Sequence, residues 1–166
     1  LLLLGLGLVV YLIWPRHPNL AAFRPEKLAS LEYQVWEKQL TPQFFRRTLT
    51  YYRIFDGQYD FPPVAALLAA GQLSWTSAKC RNLDVQTEFE QLLPPVEEVY
   101  LKLSEQLPEP LNVKELSQAQ IAIWRNGFSE RRKVRPGPYI NYLHALYDIP
   151  RKSAEPVAVR MAEARA

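Results

Sequence analysis

The sequence predicts an all-α protein: a single N-terminal transmembrane helix followed by a compact bundle of about six to seven short helices. Three observations carry that expectation. The first fourteen residues, Leu1 to Trp14, hold no charge. Fourteen prolines then punctuate the chain, and between them apolar residues recur every three or four positions instead of alternating. Hydrophobic residues make up 48% of the 166, a composition able to bury a real core and far from a disordered one.

The apolar run ends at Pro15-Arg16-His17-Pro18. Trp14, Arg16 and His17 form the expected membrane interface, an amphipathic indole at headgroup depth with polar side chains just outside. Fourteen residues rising about 1.5 Å each cover roughly 21 Å of a hydrocarbon layer about 30 Å thick. The expectation is therefore an anchor whose helix begins before Leu1. The apolar core of a secretory signal has this length too, but no basic leader or small-residue cleavage site accompanies it. A buried core helix is the third alternative, set against Leu on every face. Arg16, Arg24 and Lys27 flank the run and place the following domain on the cytoplasmic side. Residues 15–24 read as a linker, 25–150 as the helical domain and 151–166 as a polar, loosely held tail, with an isolated helix over Val157 to Ala166 as the alternative.

Each helix has its own signals. Pro25 opens the first, with Leu28, Leu31, Val35, Trp36 and Leu40 as one stripe. Thr41-Pro42 supplies an N-cap and a first-turn proline for the second, which carries Phe44, Phe45, Leu49, Tyr51, Tyr52, Ile54 and Phe55 and stops at Asp56-Gly57. Pro62-Pro63 begins the third, to about Cys80. It is small and apolar nearly all round, which places it at the centre of the domain, while its polar residues come too early for a second span. Asp84 caps a short piece through Phe89 and Leu93. Pro94-Pro95 starts a stripe of Val96, Val99, Tyr100, Leu103 and Leu107. Asn112 and Glu115 have capping-box spacing ahead of Leu116, Ala119, Ile123 and Trp124, with Asn126-Gly127 as the stop. Pro138 begins a last helix with Tyr139, Tyr142, Leu143, Leu146 and Tyr147 on one side.

Charge is unevenly distributed within a formal net of +3. The basic pole falls in the last third, where Arg131, Arg132, Lys133 and Arg135 are a candidate contact for anionic lipid. Catalytic patterns are missing: no nucleophile elbow, no phosphate-cradling glycine loop, no Cys with a His partner. The two histidines show no metal-ligand spacing; His144 shares a polar face with Asn141 and Asp148, and no cofactor or metal is expected. Glu32 is the one acid expected to be partly buried, paired with Arg46, Arg47 or Arg53. The lone Cys80 fits a reducing compartment.

Aromatics crowd between Phe44 and Phe61 with arginines among them. That mixture suits nucleic acid, but the helical spacing and the membrane tether argue against it, and no nucleic-acid partner is expected. Phe44, Phe45, Arg46, Arg47, Tyr51 and Tyr52 are instead the candidate protein interface, where Tyr, Trp and Arg are enriched.

Glu32-x-x-x-Trp36, the Tyr51-Tyr52 pair, the segment Leu111 to Trp124 and the ending Leu146-Tyr-Asp-Ile-Pro150 resemble a family of short helical bacterial proteins of no assigned activity. The resemblance spans roughly Leu28 to Pro150. Members carry acids just before the tryptophan of the penultimate helix, where this chain has Gln120 and Ala122, so it implies no metal role here. The expected function is that of a non-catalytic accessory subunit of a larger membrane complex, respiratory or photosynthetic in type, with other membrane-protein subunits and the lipid bilayer as partners. The alternatives are a bundle binding a small apolar ligand or cofactor among Trp36, Trp75, Trp124 and the tyrosines, and an enzyme.

Overall fold

Prolines and left-handed stop residues set the frame of the fold. In a computed structural model of the chain, residues 10, 24–39, 43–80, 83, 89–107, 109–128 and 135–163 are described. They form seven helices and no strand: α1 Pro25–Gln39, α2 Phe44–Tyr59, α3 Pro63–Cys80, α4 Leu93–Ser104, α5 Val113–Phe128, α6 Gly137–Tyr147 and α7 Arg151–Glu163. Each helix packs on its neighbours in sequence, and α7 returns to α1, so the row closes on itself. Among the described residues no helix is long and apolar enough to cross a membrane. Apart from helical Val10, the expected anchor, with Trp14, Arg16 and His17, lies outside the described residues. So do Arg131, Arg132, Lys133, Thr41-Pro42 and Asp84.

Local chemistry explains most boundaries. α3, α4 and α6 carry prolines in their first turns, where a missing N–H removes no helical bond. At the start of α5, the Glu115 backbone N–H donates to Asn112 Oδ1 at 3.3 Å, and Asn112 Nδ2 donates to Glu115 Oε2 at 3.1 Å. The expected cap is therefore present. α2 does not stop at Asp56-Gly57. It runs on to Tyr59 and ends at Asp60, held left-handed at φ 53°, a conformation that Asp tolerates better than most side chains. The extra turn brings Gln58 and Tyr59 into the buried set.

Two further expectations are corrected. Residues 151–163, read as part of a loose tail, form α7, whose Ala154, Ala158, Met161 and Ala162 are buried. Alanines at this spacing make a flat apolar strip despite the charged residues around them, and Pro150 O accepts the Ser153 and Ala154 N–H groups to start the turn. α3, expected at the centre, has only one side inward. Ala66, Ala70, Leu73, Ser74, Thr76, Ser77 and Cys80 are buried, while Val64, Leu67, Leu68 and Trp75 face out. Small inward residues let α3 lie close to α2, and the bulky ones are left on the far side.

Candidate functional site

The interior carries an unusual polar layer. Tyr59, Tyr100 and Tyr142 are fully buried, with hydroxyls drawn together from α2, α4 and α6. Tyr59 OH and Tyr142 OH lie 3.2 Å apart, and Tyr100 OH lies 3.4 Å from Tyr142 OH. Tyr100 also donates to Gln120 Oε1 on α5 at 2.7 Å. A hydroxyl has one proton, so the short Gln120 contact takes it. Along α5, Trp124 Nε1 donates to Tyr51 OH on α2 at 3.0 Å. The Tyr59–Tyr142, Tyr100–Tyr142 and Trp124–Tyr51 contacts join helices that are not neighbours in sequence, while Tyr100–Gln120 joins α4 to the adjacent α5.

Burial pushes Tyr51, Tyr59, Tyr100, Tyr142 and Tyr147 well above the usual phenol range, and the charge of Glu32 adds to the effect on each. Glu32 is buried on α1, as is Arg47 on α2, while Arg46 and Arg53 face solvent. Burial draws the Arg47 guanidinium below its ordinary value, with Tyr51 opposing the shift. Gln120 Nε2, Ser117 Oγ and Ser74 Oγ are buried with no hydrogen-bond partner. Turning the Gln120 amide over would leave its oxygen alone instead, so one amide atom stays dry in either orientation. The layer's hydroxyls are buried and held neutral. Its chemistry is that of a brace: polar contacts in a low-dielectric interior that fix how the helices register.

Outside this layer the surface of α2 and α3 stands apart. Most of the exposed large apolar side chains of the described residues lie on these two helices. On α3, Leu67 is 56% exposed, Leu68 69% and Trp75 60%; on α2, Phe45 is 86% exposed. Val64, Leu67, Leu68, Gly71 and Trp75 share the side of α3 opposite its buried residues. Gly71 sits mid-helix, where glycine costs roughly 0.5–1 kcal/mol relative to alanine, and a Cβ there would meet nothing within 4 Å. Nothing inside the domain requires it. Lys79 lies over the Trp75 ring at 5.6 Å, so the stripe ends in a cation.

The residues expected to form a protein interface divide. Phe44, Phe45 and Arg46 are exposed, Tyr52 is half-buried, and Arg47 and Tyr51 belong to the interior. Arg46 Nη1 donates to Gln43 Oε1, and the Arg47 guanidinium lies 5.9 Å from the Phe44 ring centre. Arg135 is exposed; its carbonyl accepts from Asn126 Nδ2 at 3.2 Å. Trp75 and Trp124 do not line one pocket, since the first faces out and the second is sealed in the core. His144 is half-buried, its Nδ1 lying 2.8 Å from the Ile149 carbonyl, which fixes that nitrogen as the protonated one. Burial pushes the Cys80 thiol up to about 12, which leaves it inert at neutral pH.

Surface clefts also lie among the described residues. One of about 490 Å³ is lined by Asn112, Lys114, Glu115, Gln118, Asn141 and Arg151, and its Arg151 is engaged by Glu115 at 2.7 Å. The other, about 220 Å³, lies between Phe89, Leu93, Ile121 and Arg125, below the roughly 300 Å³ at which ligand pockets begin. Among the described residues, no group of three His, Cys, Asp or Glu could hold a metal ion.

No known protein family, curated protein or solved structure matches the chain.

Sequence reasoning missed the polar layer and the outward face of α3. The first had a signal: Gln120 falls on the same helical face as Leu116, Ile123 and Trp124, a polar residue at a core position. The second had one in Gly71, a helix-interior glycine within an otherwise continuous apolar pattern.

Proposed function

We propose that this protein is a non-catalytic structural subunit of a larger membrane protein assembly, held by one N-terminal helix and docking through the outward face of α2 and α3. The observation that carries this reading is the solvent-facing stripe of Val64, Leu67, Leu68 and Trp75. Scattered apolar residues on a surface need no explanation, but a contiguous stripe marks an interaction site. Phe45 and Arg46, exposed on α2, add the side-chain types enriched in interfaces. The uncharged run from Leu1 to Trp14 supports the tether, and Arg16, Arg24 and Lys27 support a cytoplasmic domain. The neutral, sealed tyrosine layer suits a rigid part better than a reacting one.

The test is size and attachment. Solubilised in mild detergent from native membranes, the full chain is expected to migrate in an assembly well above its 19.2 kDa. Removal of residues 1–18 is expected to release a helical domain from the membrane fraction. A protein that always migrates as a single chain in its micelle contradicts the subunit reading. A truncated chain that stays membrane-bound with no partner present contradicts the anchor.

A further inference from the structure

We propose that the cleft between α5, α6 and α7 binds a small organic phosphate, with Lys114 and Arg151 holding the phosphoryl group. The cleft stands on helices other than the α2–α3 stripe and does not depend on the docking reading.

Polar side chains from three helices converge there. Lys114 and Gln118 come from α5, Asn141 from α6 and Arg151 from the start of α7. The side chains of Lys114, Gln118 and Asn141 make no hydrogen bond or ion pair within the described residues, so their donors are open to a ligand. Arg151 is steered by its neighbour. Its Nη2 donates to Glu115 Oε1 at 2.7 Å, and Glu115 Oε2 accepts from Asn112 Nδ2 at 3.1 Å. Both oxygens of the one acid lining the cleft are thus engaged inside the protein. They hold the guanidinium in place while most of its five N–H donors stay available. Two cations against one carboxylate leave the cleft positive.

Charge and size together select the ligand. A carboxylate carries one negative charge, which Arg151 alone could match. A phosphomonoester carries roughly −1.5 to −2 near neutral pH. The guanidinium fork pairs with two of its oxygens and the Lys114 ammonium, a compact point charge, takes a third. The cleft measures about 490 Å³, within the roughly 300–1,000 Å³ of small-molecule sites. A water molecule takes up about 30 Å³ of liquid, so a bare phosphate would leave most of this space unused. Ala119 and Ala122 line it with single methyl groups and leave room for an organic body. The amides of Gln118 and Asn141 both donate and accept, which suits hydroxyl groups on that body.

Phosphorus NMR of the full chain in non-ionic detergent tests the site with three probes: glycerol 3-phosphate, glucose 6-phosphate and inorganic phosphate. At least one of the two organic phosphates is expected to bind saturably, and more tightly than inorganic phosphate. Lys114→Gln and Arg151→Gln are each expected to weaken that binding about tenfold or more, the loss of one charge-assisted hydrogen bond. Ala122→Phe fills the cleft without changing its charge and is expected to abolish binding. Arg160→Gln removes the same charge from an exposed position on α7 outside the cleft and is expected to change nothing. Circular dichroism of each variant checks that the helices are intact. Absence of saturable binding by both organic phosphates overturns the proposal, as does an equal loss in Arg160→Gln, which would mean general attraction to a basic surface. Inorganic phosphate binding as tightly as both esters overturns the organic ligand. Lys114-dependent binding to phosphatidic acid in mixed micelles, with none to the soluble esters, overturns it in favour of a lipid headgroup.

Discussion

Replacing Tyr100 by phenylalanine removes one oxygen atom from the centre of the bundle and should cost far more than one surface hydrogen bond. The hydroxyl donates to Gln120 Oε1 at 2.7 Å, and the amide nitrogen of Gln120 already has no partner. Without Tyr100 OH the whole amide is buried dry. Losing the bond costs about 1 kcal/mol, and an unpaired buried acceptor adds about 1–3 kcal/mol, so Tyr100→Phe should destabilise by roughly 2–4 kcal/mol. Gln120→Leu behaves differently. It removes the unpaired nitrogen and leaves Tyr100 OH the Tyr142 oxygen at 3.4 Å, so its cost should stay below about 1.5 kcal/mol. The double variant replaces both partners by apolar groups and should lie within about 1 kcal/mol of the parent. The coupling between the two sites is then on the order of 2 kcal/mol. Urea unfolding followed by circular dichroism measures it, and the melting point of Tyr100→Phe should fall by roughly 4–16 °C. Additive single effects, or a Tyr100→Phe chain as stable as the parent, would refute the bracing role of the layer.

The same layer sets an alkaline limit. Tyrosines whose folded values are raised by burial contribute stability that is complete below the unfolded phenol value of about 10 and is lost as pH climbs toward the folded values. Each adds a slope of up to about 1.4 kcal/mol per pH unit above that point, so the tyrosinate absorbance of these buried tyrosines should appear in one step together with loss of helix. Gradual ionisation of Tyr59, Tyr100 and Tyr142 themselves near pH 10 with helicity intact would mean the hydroxyls are not sealed. Deleting residues 151–166 should cost stability and helical cooperativity, because Ala154, Ala158, Met161 and Ala162 are buried; an unchanged unfolding midpoint would show that α7 is dispensable.

Much of the helical order is legible in the sequence because its signals are local. Pro63, Pro95 and Pro138 sit in first turns, Asn112 and Glu115 form the cap their spacing suggests, and the stripes Leu28–Leu31–Val35 and Val96–Val99–Tyr100–Leu103 face inward. What failed depends on neighbours. The end of α2 rests on Asp60 taking a left-handed turn, which Asp56-Gly57 suggests equally well. α7 is held by alanines, whose burial in context outweighs their weak signal in a hydropathy pattern. α3 shows the deeper limit: periodicity reveals that a face is apolar but not what covers it, so a helix apolar all round reads as central even when one side faces out. Tyr51 and Arg47 show the converse, since side chains typical of interfaces are spent here on the interior. The tyrosine layer needs helices from distant parts of the chain, and only Gln120, out of place on its face, points to it.

The central claim is that the outward face of α3 is covered when the protein is in its membrane, and oxidative footprinting measures this directly. Membranes holding the full chain and the domain freed by removing residues 1–18 are labelled in parallel, with Trp75, Leu67 and Leu68 compared against Leu101, which is exposed on α4. The account expects strong protection of the three α3 residues in membranes, unchanged labelling of Leu101, and full labelling of all four in the freed domain at high dilution. Equal labelling of Trp75, Leu67 and Leu68 in both states would contradict it.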